Sequence, residues 1–167
     1  MTMFRQMRRF KQQLPPEECD AILLKNSSGV LAVQGDEGYP YTVPMSYNYC
    51  EGKLYFHCAK TGHKLDAVRR SDKVSFCVVD KDTVVPEKYT TYFRSVVAFG
   101  RARILEDETE RREALEKLAA KYSPEQAEGR QREVDMQLKN VSIIEMAIEH
   151  ITAKEAIELI NARQAGK

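Results

Sequence analysis

The chain has 167 residues, with 26 lysines and arginines against 25 aspartates and glutamates and a formal net charge of +1, a balance that offers no bulk attraction to nucleic acid or to an anionic membrane. Hydrophobic residues make up 43% and charged residues 31%, the mix of a globular domain, and a single domain of this size buries roughly two-thirds of its unfolded surface without a disulfide or metal staple. The four cysteines, Cys19, Cys50, Cys58 and Cys77, contain no CxxC pair and match no zinc knuckle, so they read as reduced structural thiols in a cytoplasmic protein.

The first dozen residues are basic, with Arg5, Arg8, Arg9 and Lys11 interrupted by Met3, Phe4, Met7 and Phe10. No apolar run follows, which argues against a signal peptide, and no stretch approaches the ~20 apolar residues of a membrane span. Because the rest of the chain is not basic, this arm (residues 1–13) reads as a terminal segment covering a core edge rather than a phosphate grip.

Pro15 and Pro16 open a helix, where a missing N–H costs little, and Glu17 and Glu18 suit its first turn. Ala21, Ile22 and Leu24 are its expected buried positions, and residues 26–29 end it. Residues 29–34 read as a strand, and residues 35–38 as a turn rich in Gly and Asp. Residues 39–49 form the next expected strand, dense in aromatic and β-branched residues. Pro40 and Pro44 are unusual there, since proline donates nothing to a ladder, and two in one strand argue that one side is not fully paired.

A turn over residues 50–53 leads to a strand over 54–58, a loop over 60–63 and a short helix over 64–70 with Leu65 and Val68 inward. Residues 73–79, apolar on both faces, read as a central strand. Residues 80–88 read as a polar loop, and residues 93–105 as a long strand bulged or bent at Gly100. The period then becomes helical over an insert at 106–140, where Leu115, Leu118, Ala119 and Tyr122 share one face and Asp107 and Glu108 suit a helix start. Residues 141–148 are the last expected strand, and 149–167 a polar C-terminal tail. Six or seven strands with local turns predict a mainly β domain over residues 1–167, an antiparallel Greek-key-like barrel with helices at the N-terminus and inserted before the last strand. The absence of βαβ alternation and of GxGxxG argues against a dinucleotide-binding parallel sheet.

Few residues can carry chemistry. His57, His63 and His150 are the only histidines, and no Ser-His-Asp order or HExxH is present. His57 alternates with Phe56 and Cys58 and so faces away from them, beside Tyr55; taken alone it reads as a hydrogen-bonded strand residue. A metal site from His57, Cys58 and His63 is disfavoured because adjacent strand residues point to opposite faces. Thr61, Gly62, His63 and Lys64 lead into a helix. They read equally as an anion cradle of backbone N–H groups, imidazole and ammonium and as an ordinary solvated helix start capped by Thr61.

The run VLAVQGDEGYPYTVPMSYNYCEGKLYFHCAKTGHKLDAV, followed by FRSVVAFGRARI, resembles the FMN-binding split-barrel family of pyridoxamine-phosphate-oxidase-like proteins, and within it the nitroimidazole-resistance branch. The resemblance covers residues 8–118 and continues loosely to EHITAKEA. Its VPMSY and YFHCAxxGHK blocks are a specific signal only in combination. It implies a homodimer of split barrels with FMN between subunits, a small electron acceptor such as a nitroaromatic or quinone, and a reduced nicotinamide as donor. By the same resemblance Val43, Pro44, Met45, Ser46 and Tyr47 run along the flavin ring, and Phe56 and His57 line it, with His57 the catalytic candidate. Thr61, His63 and Lys64 meet the phosphate. Ser95 reaches the flavin, and Tyr92 and Arg94 contribute across the dimer. A sensor or carrier that binds flavin, haem or a deazaflavin without turnover is the alternative. Pyridoxamine-phosphate oxidation itself is disfavoured, because the C-terminal Trp and Arg-rich segment of those oxidases is missing.

Overall fold

The computed structural model describes residues 4–165; Met1–Met3 of the basic arm and the last two residues of the chain lie outside the described residues. The elements in order are α1 (Pro16–Lys25), β1 (Ser28–Gln34), β2 (Pro40–Ser46), β3 (Asn48–Cys50), β4 (Lys53–Ala59), α2 (His63–Arg70), β5 (Lys73–Val85), β6 (Thr90–Ile104), α3 (Glu108–Tyr122), α4 (Ala127–Gln137), β7 (Val141–Glu155) and α5 (Ile157–Ala165). None of the described helices is long and apolar enough to cross a membrane.

The seven strands form one antiparallel sheet in the order β2-β1-β5-β6-β7-β4-β3. Strands β2 and β3 are consecutive in the chain, with only Tyr47 between them, yet they are the two outer edges of the sheet. In a flat sheet those edges would stand about 29 Å apart, at ~4.8 Å per strand, whereas successive Cα atoms are only about 3.8 Å apart. The sheet must therefore curl until its edges meet. The chain, not a ladder of hydrogen bonds, closes the cylinder, which makes it a split barrel. Strand β2 lies on one edge of the split, as Pro40 and Pro44 require.

Side-chain alternation sorts the residues of the wall. Leu31, Val33, Tyr47, Leu54, Phe56, Phe76, Val78, Val96, Ile144 and Met146 fill the interior, and Tyr47 and Phe56 both pack edge-on against Phe76. Tyr55, Leu105 and Ile143 form a second cluster with Ala114, Leu115, Leu118, Val134 and Leu138 of the helical insert. The insert thus packs on the outside of the barrel, against β4 and β7. Asp107 caps α3 by accepting from the Glu110 N–H at 2.9 Å.

Several expectations change. The buried face of α1 is Cys19, Ile22 and Leu23, while Ala21 and Leu24 are exposed, because Cys19 behaves as a small apolar residue and sets the register of the face. The supposed polar loop at 80–88 is mostly strand. The β5–β6 ladder shifts register between Val79 and Lys81 and then continues to Val85 against Thr90, so the polar DKD run conceals a bulge. The supposed tail at 149–167 carries regular structure over its described residues, since β7 runs on to Glu155 and α5 covers Ile157–Ala165; its last two residues lie outside the described ones. Arg94 holds the buried Glu155 at 2.8 Å, Arg163 of α5 pairs with Glu155 too, and Arg163 reaches Glu18 at 3.0 Å. These ion pairs fasten the C-terminal helix to α1 and the barrel wall. They also engage Arg94 within its own chain.

The irregularity near Gly100 lies on the facing strand. Phe99 pairs with His150 and Gly100 with Ile148, which leaves Glu149 as the extra residue. A Cβ at Gly100 would lie 2.1 Å from the Ala147 carbonyl oxygen, so no side chain fits without moving backbone. Gly100→Ala is expected to cost about 3 kcal/mol, the upper end for overpacking, seen as a lower urea midpoint; an unchanged midpoint would refute this account of the bulge.

Candidate functional site

The turn after β4 carries the chain into α2 through Gly62, whose φ of 138° is a region side chains rarely adopt. Thr61 is exposed and does not cap; Gly62 occupies the N-cap and no side chain bonds the first turn. The leading N–H groups of α2 are thus among the orphan donors of a helix start. His63 stacks on Tyr41 of β2, with ring centroids 4.2 Å apart and planes 12° apart, and its Nε2 lies 3.5 Å from Asp36. Arg70, at the other end of α2, holds Asp36 at 2.6 Å. That hydrogen bond and charge keep the Asp36 carboxyl below its ordinary value, and His63 adds to the effect. This cluster ties the start of α2 to β2. Lys64 is half-buried and makes no ion pair among the described residues.

The structure divides the expected ring-lining residues by face. On β2, Pro44 and Ser46 are exposed, Val43 is half-buried and Met45 is buried. Tyr47 and Phe56 are fully buried in the barrel, so their side chains line no groove. His57 is on the outer face of β4, as its alternation with Phe56 and Cys58 requires. There it meets a cleft of about 480 Å³ walled by Ser46, Ala59, Leu115, Leu118, Ala119, Tyr122, Glu133, Gln137 and Val141 among others. The cleft exists because the helical insert covers Tyr55, two residues earlier on the same face, but not His57. Tyr92 and Ser95 do not join this group. They lie on β6, with β1 and β5 between them and β2, and β7 between them and β4; Tyr92 instead accepts from Lys88 at 3.1 Å.

Sequence reasoning gave no site role to the residues that hold the cleft in shape. The Tyr122 hydroxyl accepts from the Tyr47 N–H at 2.9 Å and also contacts the Ser27 carbonyl oxygen. The Tyr47 hydroxyl donates to the Leu23 carbonyl at 2.8 Å. Lys121 lies 4.0 Å from the centre of the Tyr47 ring and donates to the Asn26 carbonyl at 2.6 Å. This clasp binds the end of α3 to the connection between the two sheet edges. The helical stripe ending at Tyr122 was its visible signal. Glu133 and Gln137 gave no signal beyond their i,i+4 spacing.

An open split barrel with an outer cleft at the junction of its two edges defines the class of protein. The chain belongs to the pyridoxamine 5'-phosphate oxidase family, whose family model matches residues 15–155. Solved structures agree on the fold. A candidate 5-nitroimidazole antibiotic resistance protein from Bacteroides thetaiotaomicron is 23% identical, with 86% of each chain covered and a TM-score of 0.72. A protein from Mesorhizobium loti described as FAD-binding is 26% identical, covering 86% of this chain and 96% of that one at a TM-score of 0.61. A Mycobacterium smegmatis protein described as binding FAD and heme is 20% identical, covering 90% and 80% at 0.71. No curated protein sequence matches this chain.

Burial in the clasp pushes the Lys121 ammonium down to about 8, whereas an unfolded lysine titrates near ~10.4. Between those values the unfolded chain binds more protons, so this residue makes stability rise with pH. The stability difference between the wild type and Lys121→Met should therefore shift in favour of the wild type between pH 7.5 and 9.5. Urea titrations at both pH values check it, and a constant difference would contradict it.

Proposed function

We propose that this chain is an FMN-dependent flavoprotein oxidoreductase that passes electrons from a reduced nicotinamide to a small nitroaromatic or quinone-like acceptor. The observation that carries the reading is the stacking of His63 on Tyr41, which sets an uncapped helix start carrying Lys64 against the proline-bearing edge strand β2. A charged terminus and a flat open strand edge side by side fit a phosphate joined to a planar ring system.

The residues present suit such a group. Lys64 and the first N–H groups of α2 would hold the phosphate by charge-assisted hydrogen bonds. His63, already held by Tyr41 and Asp36, would serve mainly to position that turn. Backbone groups of Val43, Pro44, Met45 and Ser46 would meet the polar edge of the ring. The His57 imidazole, exposed at the cleft, would supply or take up a proton beside the reacting centre. Bound FMN would provide the redox chemistry itself. A second copy of the chain would bring Tyr92 and Ser95 to the ligand, and the exposed Val79, Val84 and Tyr89 of the β5–β6 hairpin give that copy an apolar surface. Family membership and the flavin binding named for the Mesorhizobium protein support the flavoprotein part of the reading.

The neighbours described as binding FAD, or FAD and heme, favour a second reading, a non-catalytic carrier of the larger flavin. Releasing the flavin by heat and weighing it separates the two cofactors, and turnover with either reduced nicotinamide separates enzyme from carrier.

Purified protein should be yellow with about one FMN per chain, and a colourless preparation that ignores added FMN would overturn the proposal. Lys64→Ala should weaken FMN binding by about 1–3 kcal/mol, the scale of a lost charged hydrogen bond; an unchanged dissociation constant would place the phosphate elsewhere. His57→Ala should keep the flavin and lose turnover.

A further inference from the structure

The lining of the outer cleft has two characters. Leu115, Leu118, Ala119 and Val141 present carbon, while α4 presents Glu133 and Gln137 across from His57. The Gln137 amide donates to the Glu133 carboxylate at 2.8 Å, which holds that charge in place at the edge of the cleft and leaves its other oxygen free of that bond. No lysine or arginine is among the lining residues. Among the cations next to lining residues in sequence, Lys121 directs its ammonium to the Asn26 carbonyl and the Tyr47 ring, while Lys60 and Arg132 are exposed to solvent outside the lining. Apolar walls favour a flat apolar ligand, with the few polar groups setting orientation and selectivity. A fixed carboxylate without a compensating cation repels an anion at close range.

Resting on the flavin reading above, we infer that this cleft is the acceptor site and that Glu133 sets its specificity, admitting neutral or cationic planar aromatics and rejecting anionic ones. At about 480 Å³ the space accommodates a fused two-ring compound. The same carboxylate disfavours phosphorylated substrates such as pyridoxamine phosphate, so the site differs in charge preference from the oxidases that give the family its name.

The test is binding, not turnover. Oxidised, FMN-saturated protein is titrated calorimetrically with 1,4-naphthoquinone and with its 2-sulfonate, which share a ring system and differ in charge. The neutral compound should bind at least tenfold more tightly than the sulfonate. Glu133→Gln should narrow that ratio to about threefold or less. Ala119→Phe, which fills the cleft, should abolish binding of the neutral compound while leaving the flavin absorbance in place. Equal affinities in the wild type, a ratio unmoved by Glu133→Gln, or no binding of the neutral quinone would each overturn the inference. Protein that binds FMN but no naphthoquinone refutes the cleft assignment and leaves the flavin reading standing. Protein that takes up the neutral quinone selectively but no flavin refutes the flavin reading and with it the acceptor role, leaving only the charge preference of the cleft.

Discussion

One residue joins the two edges of this sheet, and the rest of the molecule is arranged around that constraint. Tyr47 cannot span a flat seven-stranded sheet, so the wall has to curl, and the point where it comes together is the residue itself. Its side chain is fully buried, its ring packs against Phe76, and its hydroxyl satisfies the carbonyl of Leu23 at the end of α1. Its backbone N–H, which has left one strand and not yet joined the next, is satisfied by Tyr122. The backbone donor freed by the break in the ladder thus has a partner, as buried backbone requires. A barrel closed by hydrogen bonds would have no such break and no gap in its wall.

The gap is useful because the helical insert does not seal it. Helices α3 and α4 lie on the outer face of β4 and β7 and bury Tyr55 and Ile143. Two residues after Tyr55 the same face passes under nothing but the cleft, and the side chain there is His57. The strand period of two therefore does two things at once. It sends Leu54, Phe56 and Cys58 into the core, and it lines up one covered and one uncovered position on the outside. Clasp and cleft share residues, since Tyr122 both fastens α3 to the sheet edges and walls the cavity.

Most of this architecture was legible in the chain because hydrophobic alternation and turn residues agree with it. The two prolines correctly marked an edge strand, and the alternation around His57 correctly set its face. Two strands were cut short for one physical reason. A bulge places a polar residue where the pattern expects an apolar one. Asp80 ends the apparent run of β5, yet it is a satisfied group inside the fold. Burial alone would raise its carboxyl, but hydrogen bonds from Lys25 and Asn26 and the charges of Lys25 and Arg94 prevail and hold it below the ordinary value. Glu149 ends the apparent run of β7 in the same way and is held by Arg101. Such residues look like loop because their partners are distant in sequence. The site divided similarly. Residues within the one local stretch from Val43 to Lys64 could be singled out, although Tyr47 and Phe56 proved to face the core. Glu133, Gln137 and Tyr122 reach the cleft only through the packing of an insert some sixty or more residues further along.

Strand β2 has to keep one edge unpaired without that edge recruiting another chain, since an open row of N–H and C=O groups is a template for strand addition. The sequence meets this need with the features that first made β2 look irregular. Pro40 and Pro44 each remove a donor, so no continuous ladder can form along the free side. Both ends of the strand are then fixed by tyrosines. Tyr41 lies under His63, which Asp36 and Arg70 hold from behind, and Tyr47, directly after the strand, lies under Lys121 and against Phe76. An edge that is pinned at both ends and broken in the middle cannot slide in register or pair with a neighbour along its length. It remains available to a compact ligand, which needs only a few of its backbone groups, and closed to a strand, which needs them all.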